Sequence, residues 1–136
     1  MPKMLSKINN NILFVLAAVS VLFCDQFSKQ IILKSYPDIV FKSFGFFGHL
    51  GYVWAGFFIG LLVIFFVIFK DVFLKTRLSA TAFGAILAGA ASNIFDRVIY
   101  STLIDWIPLG SLRLNLADLF IIISGIYLIY FLWKKD

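Results

Sequence analysis

The sequence predicts an all-α membrane protein with four transmembrane helices, both termini on the cytoplasmic side and a small β-containing segment on the outer face. The first observation is composition: the 136-residue chain is 62% hydrophobic and contains 17 Phe. A soluble domain of this size could not bury that much apolar surface. The second is that the apolar residues form four long runs. The third is that the cationic residues lie between these runs and form no single basic face.

The four runs cover about residues 8–24, 51–69, 78–95 and 117–133 of a single membrane domain, 1–136. A helix needs about 20 residues to cross the hydrocarbon core of a bilayer. The last three runs meet this length. The first run meets it only if its polar start, at Asn9 to Asn11, lies among the lipid headgroups.

Orientation follows from the short connections, which are cationic. The two ends of the chain and the connection between the second and third runs carry Lys3, Lys7, Lys70, Lys75, Arg77, Lys134 and Lys135. The positive-inside rule places these residues on the cytoplasmic face. The longer segments, 26–50 and 97–116, then lie outside.

The first run also resembles a secretory signal, because two lysines precede it and it ends at Cys24. Processing enzymes need a small side chain before the cleavage site, whereas Phe23 stands there. We therefore expect a retained first helix and a chain that is not itself a lipoprotein.

The outer segment 30–50 has two short apolar runs, 31–33 and 39–41, around Pro37-Asp38. This pattern predicts two strands or a small sheet. Trp54 and Trp106, near the outer boundary, are expected to be interfacial anchors.

The third run carries two stripes of small residues at every fourth position. One comprises Ala80, Gly84, Ala88 and Ser92, and the other Thr81, Ala85, Gly89 and Asn93. Small residues at this spacing allow close helix approach in membranes, which gives Gly89 a structural role. The second stripe should turn Asn93 into the bundle.

Three polar clusters lie at the outer ends of the apolar runs. They are Asp25 to Lys29, Asn93 to Arg97 continuing to Asp105, and Asn115 to Asp118. Ionisable groups near hydrocarbon are costly and mark candidate functional sites. Two carboxylates brought close together share a proton, so one can activate water while the other polarises a carbonyl. Asp105 and Asp118 are the predicted catalytic pair.

Each of these residues also has a structural interpretation. Asp118 fits a helix cap, with Asn115 three residues before it, and Asp105 fits an ordinary loop aspartate. Asp25 and Lys29 have the i, i+4 spacing of a common helical ion pair.

The third cluster allows two interpretations as well. Asn93 and Arg97 can bind a substrate backbone. Alternatively, Asp96 and Arg97 can form an interfacial ion pair that anchors the third helix.

Other chemistries find little support. One cysteine and one histidine are too few for a zinc site, and no phosphate-binding glycine loop is present. A serine nucleophile lacks a base. We expect no cofactor, no metal and no nucleic-acid partner.

These motifs resemble those of the lipoprotein signal peptidases, also called signal peptidase II. The Asp-Gln-x-x-Lys motif is matched by Asp25, Gln26 and Lys29, and the Asn-x-x-Asp-Arg motif by Asn93, Asp96 and Arg97. The two catalytic aspartates of the family are matched by Ile104-Asp105-Trp106 and by Asn115-Leu116-Ala117-Asp118. The resemblance spans nearly the whole chain.

The resemblance implies a multi-pass aspartic endopeptidase of the bacterial cytoplasmic membrane, with its active site toward the outer face. Its substrate would be a prolipoprotein cut before a diacylglyceryl-modified cysteine, in contact with membrane lipids, and the enzyme is expected to be a monomer. In this reading Asp25, Lys29, Asn93, Arg97 and Asn115 bind substrate or support the site, and Asp96 is structural.

The second helix departs from the family pattern, because Trp54-Ala55-Gly56 replaces a basic residue and an Asn. A non-catalytic member that binds lipidated peptides is therefore one alternative. The other is a small membrane scaffold or transport subunit, in which the same polar residues only fix helix packing.

Overall fold

The computed structural model describes residues 9–44 and 51–135. Four helices in this part of the chain are long and apolar enough to cross a membrane. They are α1 (Asn10–Ser35), α2 (Gly51–Phe73), α3 (Arg77–Tyr100) and α4 (Leu116–Lys135). The predicted fold class is confirmed in these helices. The orientation of the helices across the membrane stays a prediction. Lys3, Lys7 and residues 45–50 lie outside the described residues.

The first helix is longer than predicted. It continues through the polar cluster after Cys24 and ends at Ser35, so the strand predicted at 31–33 is wrong. The reason is that Asp25 and Lys29, one turn apart, are both buried against the rest of the protein. These polar side chains contact other parts of the protein, so they do not mark the point at which the helix ends.

Two small antiparallel sheets lie between the helices. A 3₁₀ turn (Pro37–Ile39) leads into strand β1 (Phe41–Phe44), which pairs with β2 (Thr102–Asp105), with Phe41 opposite Asp105. Strands β3 (Ile107–Leu109) and β4 (Leu112–Leu114) form a second hairpin. The predicted outer β segment is therefore present, but the partner of β1 comes from segment 97–116.

Helix α3 is the centre of the bundle and packs on α1, α2 and α4. Its two small-residue stripes face different helices. A Cβ on Gly84 would lie 2.3 Å from the carbonyl oxygen of Phe14 on α1, and a Cβ on Gly89 would lie 3.0 Å from that of Ala117 on α4. The absent side chains allow these close approaches, as the spacing predicts.

A cluster of aromatic rings joins the end of α2 to the beginning of α3. Phe73 and Phe83 are buried there with Leu128 of α4, and their ring centroids are 5.2 Å apart. At the turn between the helices, the Ser79 hydroxyl donates to the carbonyl oxygen of Phe73 at 2.6 Å. Thr76 caps α3 by accepting from the backbone N–H of Ser79. This cluster lies at the opposite end of α3 from the polar residues described below.

Candidate active site

Helix α4 begins with a reciprocal cap made by Asn115 and Asp118. The Asn115 side-chain oxygen accepts from the backbone N–H of Asp118, and the Asp118 carboxylate accepts from the backbone N–H of Asn115, both at 3.0 Å. This satisfies two backbone donors that a helix start otherwise leaves unpaired. The cap inferred from the sequence is present, and it fixes the position of Asp118.

Asp105 reaches the same place from the end of β2. The Nδ2 of Asn115 donates to Oδ1 of Asp105 at 2.9 Å. Asp105 and Asn115 are both buried, so Asp105 is no ordinary surface-loop aspartate. Asn115 therefore contacts both predicted catalytic carboxylates, through its side chain on one and through the cap on the other.

Asn93 of α3 contacts both Asp118 and Asn115. Its Nδ2 donates to Oδ1 of Asp118 at 2.9 Å, and its Oδ1 accepts from Nδ2 of Asn115 at 3.0 Å. Its Oδ1 also lies 3.4 Å from Nζ of Lys29. The direction expected for Asn93 from the second stripe is therefore correct, and this residue connects the carboxylate pair to a buried ionic cluster.

The ionic cluster consists of Asp25, Lys29 and Asp96, each no more than 1% exposed. Nζ of Lys29 lies 2.5 Å from Oδ2 of Asp25 and 2.6 Å from Oδ2 of Asp96. The Asp25–Lys29 pair is thus not the ordinary exposed helical pair that its spacing allows. Removing one member would leave a buried charge without its partner, which is the costly case for an ion pair.

Two residues outside the predicted site complete the cluster. Ser92 donates to Oδ2 of Asp25 at 2.6 Å, and Gln26 donates to Oδ1 of Asp96 at 2.9 Å and to the Ser92 hydroxyl at 2.8 Å. Sequence reasoning assigned Ser92 only to packing. The available signal was its place one turn before Asp96, on the face of α3 that receives α1.

Asp25 also reaches α4 directly. Its Oδ1 accepts from the backbone N–H of Ala117 at 2.8 Å. Side chains therefore accept hydrogen bonds from three backbone N–H groups at the start of α4, those of Asn115, Ala117 and Asp118. The N-terminus of a helix favours nearby negative charge, so the same arrangement stabilises carboxylates there.

Burial and, to a smaller extent, the nearby charge of Asp118 together raise the pKa of Asp105 to about 6, although the hydrogen bond from Asn115 acts in the opposite direction. A carboxyl group with this pKa keeps a proton in conditions where an exposed aspartate is ionised. The arrangement therefore contains one carboxyl group suited to donating a hydrogen bond, next to a second that accepts two.

Arg97 lies half-buried one turn after Asn93, and its Nη1 donates to the backbone carbonyl of Asn93 at 3.0 Å. Both residues line a groove of about 250 Å³ between α2, α3 and α4. The α2 residues in this groove are Phe58, Leu61 and Leu62, which offer no hydrogen-bonding side chain. In this groove α2 therefore contributes only apolar side chains, as the sequence of the second run predicts.

Trp54 and Trp106 differ in their surroundings. Trp54 is 38% exposed and meets Phe57 edge to face, in keeping with an interfacial ring. Trp106 is less exposed, and its indole nitrogen is buried with no hydrogen-bond acceptor among the described residues. Trp106 therefore fits the predicted role of an interfacial anchor less well than Trp54 does.

Among the described residues, no group of three or more His, Cys, Asp or Glu side chains is placed to hold a metal ion. The polar groups around the two carboxylates are instead the amides of Asn93 and Asn115, with the cation of Lys29 behind them. What these residues can do together is proton transfer between a carboxylate pair and a substrate.

Comparisons with known proteins identify the same family that the motifs resemble. A family model described as "Signal peptidase (SPase) II" matches residues 17–134. The lipoprotein signal peptidase of Dehalococcoides mccartyi is 33% identical over 139 residues, which cover 87% of this chain and 86% of that protein. The lipoprotein signal peptidase of Mesorhizobium japonicum is 34% identical over 103 residues, and the match covers 68% of this chain and 56% of that protein.

Two solved structures share the fold. Both are described as a bacterial membrane enzyme studied by the in meso method. One has a TM-score of 0.67 at 23% identity, covering 90% of this chain and 88% of that one. The other has a TM-score of 0.66 at 22% identity, covering 90% and 94%.

Proposed function

The chain belongs to the signal peptidase II family, and we infer from this membership that it removes signal peptides from prolipoproteins in a bacterial membrane. We further propose that it is an aspartic peptidase with Asp105 and Asp118 as its catalytic residues. The single observation that carries this proposal is that Asn115 contacts both carboxylates.

In the proposed reaction Asp118 is the ionised member and Asp105 the protonated one. Asp118 accepts hydrogen bonds from Asn93 and from the backbone of Asn115 and lies at a helix N-terminus, and both features favour negative charge there. The raised pKa of Asp105 favours its protonated form. The two environments support this division of roles between a pair of carboxylates.

Asp118 would take a proton from a water molecule while Asp105 donates its hydrogen bond to the scissile carbonyl oxygen. The water oxygen attacks the carbonyl carbon and forms a tetrahedral intermediate. The carbon–nitrogen bond then breaks as the proton held by Asp118 passes to the departing amine. Asp105 and Asp118 end the cycle ready to share one proton again.

The other residues of the site have supporting roles in this proposal. Asn115 and Asn93 hold the carboxylates, and the cluster of Asp25, Lys29 and Asp96 holds the ends of α1, α3 and α4 together. Arg97, which lines the groove next to Asn93, is proposed to contact the substrate.

The membrane arrangement is part of the proposal as well. The cationic connections favour cytoplasmic termini, which would place the site at the outer face of the cytoplasmic membrane. The apolar groove beside Asn93 and Arg97 suits a substrate that arrives from the bilayer, in keeping with a cut before a diacylglyceryl-modified cysteine.

The test is cleavage of a lipidated prolipoprotein by the purified chain in proteoliposomes, next to an unlipidated control substrate. Asp105→Asn and Asp118→Asn should each abolish cleavage while the variants still insert and fold. Asp38→Asn and Asp71→Asn, at exposed positions, are the matched controls and should cut normally.

The outcomes separate the alternatives. Binding of the lipidated peptide without any cleavage would indicate a non-catalytic member of the family. Neither binding nor cleavage, with the substitutions altering only stability, would indicate a scaffold or transport subunit. Full activity in either Asp→Asn variant would refute the catalytic pair.

A further inference from the structure

The side-chain amide donors that contact the two carboxylates are already in use. Nδ2 of Asn115 donates to Asp105 and to Asn93, and Nδ2 of Asn93 donates to Asp118. The groove residues of α2 are apolar. A lipidated peptide has many carbonyl oxygens. A hydrogen-bond donor that has no partner within the protein is available to bind one of them.

The indole N–H of Trp106 is such a donor. It is buried, and no acceptor lies within hydrogen-bond distance among the described residues. A tryptophan nitrogen can only donate, so its partner must be an acceptor. Leaving a buried donor unpaired is unfavourable, and native proteins rarely do so without a reason.

The backbone of Trp106 lies between the segment that carries Asp105 and the segment that leads to Asn115. It follows Asp105 directly, so their Cα atoms are separated by a single peptide unit. Its own backbone N–H donates to the carbonyl oxygen of Leu114 at 3.0 Å, and Leu114 precedes Asn115. Trp106 therefore connects the strand that ends in Asp105 with the strand that leads to the cap of α4.

We propose that the indole N–H of Trp106 binds a carbonyl oxygen of the lipidated substrate and so contributes to substrate recognition next to the catalytic pair. This proposal rests on the proposed function, because it takes the substrate class from it. Two parts of the substrate carry this acceptor: the peptide backbone near the scissile bond and the acyl esters of the diacylglyceryl group.

The first test is Trp106→Phe, which removes the N–H and keeps an aromatic ring. Loss of one hydrogen bond should lower kcat/KM by about tenfold. Thermal stability should stay the same or rise, because an unpaired buried donor is removed. Trp133→Phe, at a residue that is 78% exposed on α4, is the matched control and should change neither quantity.

A second substrate identifies the acceptor. In a dialkylglyceryl ether peptide the two ester carbonyls are absent. If Trp106 binds an acyl ester, the Trp106→Phe effect appears in KM with the ester substrate and disappears with the ether substrate. If Trp106 binds the peptide backbone, the effect is equal for both substrates and appears mainly in kcat.

A binding measurement separates this proposal from the proposed function. The ¹⁵N-indole resonance of Trp106, identified by its absence in Trp106→Phe, should move downfield when the uncleaved lipidated peptide is added to the Asp118→Asn protein. No shift, together with unchanged kcat/KM in Trp106→Phe, would overturn the proposal even if the unchanged enzyme cuts normally. If the unchanged protein cuts nothing, the proposed function fails and the resonance alone decides the role of Trp106.

Discussion

The carboxylate of Asp25 on α1 accepts a hydrogen bond from the backbone N–H of Ala117 at the start of α4, at 2.8 Å. These residues are 92 positions apart in the sequence. The contact joins the buried ionic cluster to the turn of α4 that carries Asp118. We therefore expect both stability and the placement of the proposed catalytic residue Asp118 to depend on the side chain of Asp25.

The first prediction concerns this contact. Asp25→Ala leaves the N–H of Ala117 without its acceptor and removes one of the two carboxylates on Lys29. Breaking a buried ion pair costs about 3–5 kcal/mol, so the free energy of unfolding in detergent micelles should fall by about 3 kcal/mol. Asp38→Ala, at an exposed position, is the control and should change it by less than about 0.5 kcal/mol. Equal stabilities of the two variants would contradict the role assigned to Asp25.

The second prediction separates the two roles of Asn115. In Asn115→Ser the hydroxyl can still cap α4 by accepting from the N–H of Asp118, but it cannot reach Asp105 as the amide does. Stability should therefore drop by only about 1 kcal/mol, while cleavage should fall at least about tenfold. Asn115→Ala should lose both functions.

The hydrogen bond from Asn115 lowers the pKa of Asp105, so Asn115→Ser should move that pKa upward. Carbonyl-region infrared spectroscopy with ¹³C-labelled aspartate can follow this titration. A Ser variant with unchanged cleavage would show that the amide contact with Asp105 is dispensable.

The third prediction is a pH dependence of stability. The pKa of Asp105 rises from its ordinary value near 3.8 to about 6 on folding. Between these values the unfolded chain has released the proton that the folded chain still holds, so stability falls as pH rises and levels off above about 6. Thermal unfolding in micelles from pH 4 to 7 measures this decline. It should be smaller in Asp105→Asn and unchanged in Asp38→Asn, and an identical slope in all three proteins would disprove the assignment.

The fourth prediction concerns the close helix contacts of α3. In Gly84→Ala the new Cβ would lie 2.3 Å from a backbone oxygen of Phe14, so α1 and α3 must separate. Overpacking of this kind typically costs about 1–3 kcal/mol, which thermal unfolding can detect. Gly60→Ala has open space around the new Cβ and should be neutral or slightly stabilising.

Gly89→Ala should act mainly on cleavage. Its Cβ would lie 2.8 Å from a side-chain carbon of Ile121, which can move, and 3.0 Å from the carbonyl oxygen of Ala117, which belongs to the start of α4. A shift of that turn moves Asp118, so kcat should decrease more than the stability loss alone would explain. A variant with lower stability but normal kcat would show that the position of Asp118 tolerates the change.

The periodic features of the chain could be read directly from the sequence. The four apolar runs, the small-residue stripes with Gly84 and Gly89, and the Asn115–Asp118 cap depend on neighbours a few positions apart on one helix. Local spacing also marked Asp105 and Asp118 as a candidate pair. Local spacing could not show that α1 continues to Ser35, because a polar cluster looks the same whether it meets water or another helix.

The sequence by itself determined that this chain spans a membrane with four helices and which polar residues are too costly to be incidental, since both follow from the free energy of placing side chains in hydrocarbon. Only the tertiary structure decided that Lys29 lies between Asp25 and Asp96, that Asn115 contacts both aspartates, and that the indole of Trp106 has no acceptor among the described residues. These are distances between segments far apart in the chain. They depend on how the helices pack, and no local pattern encodes them.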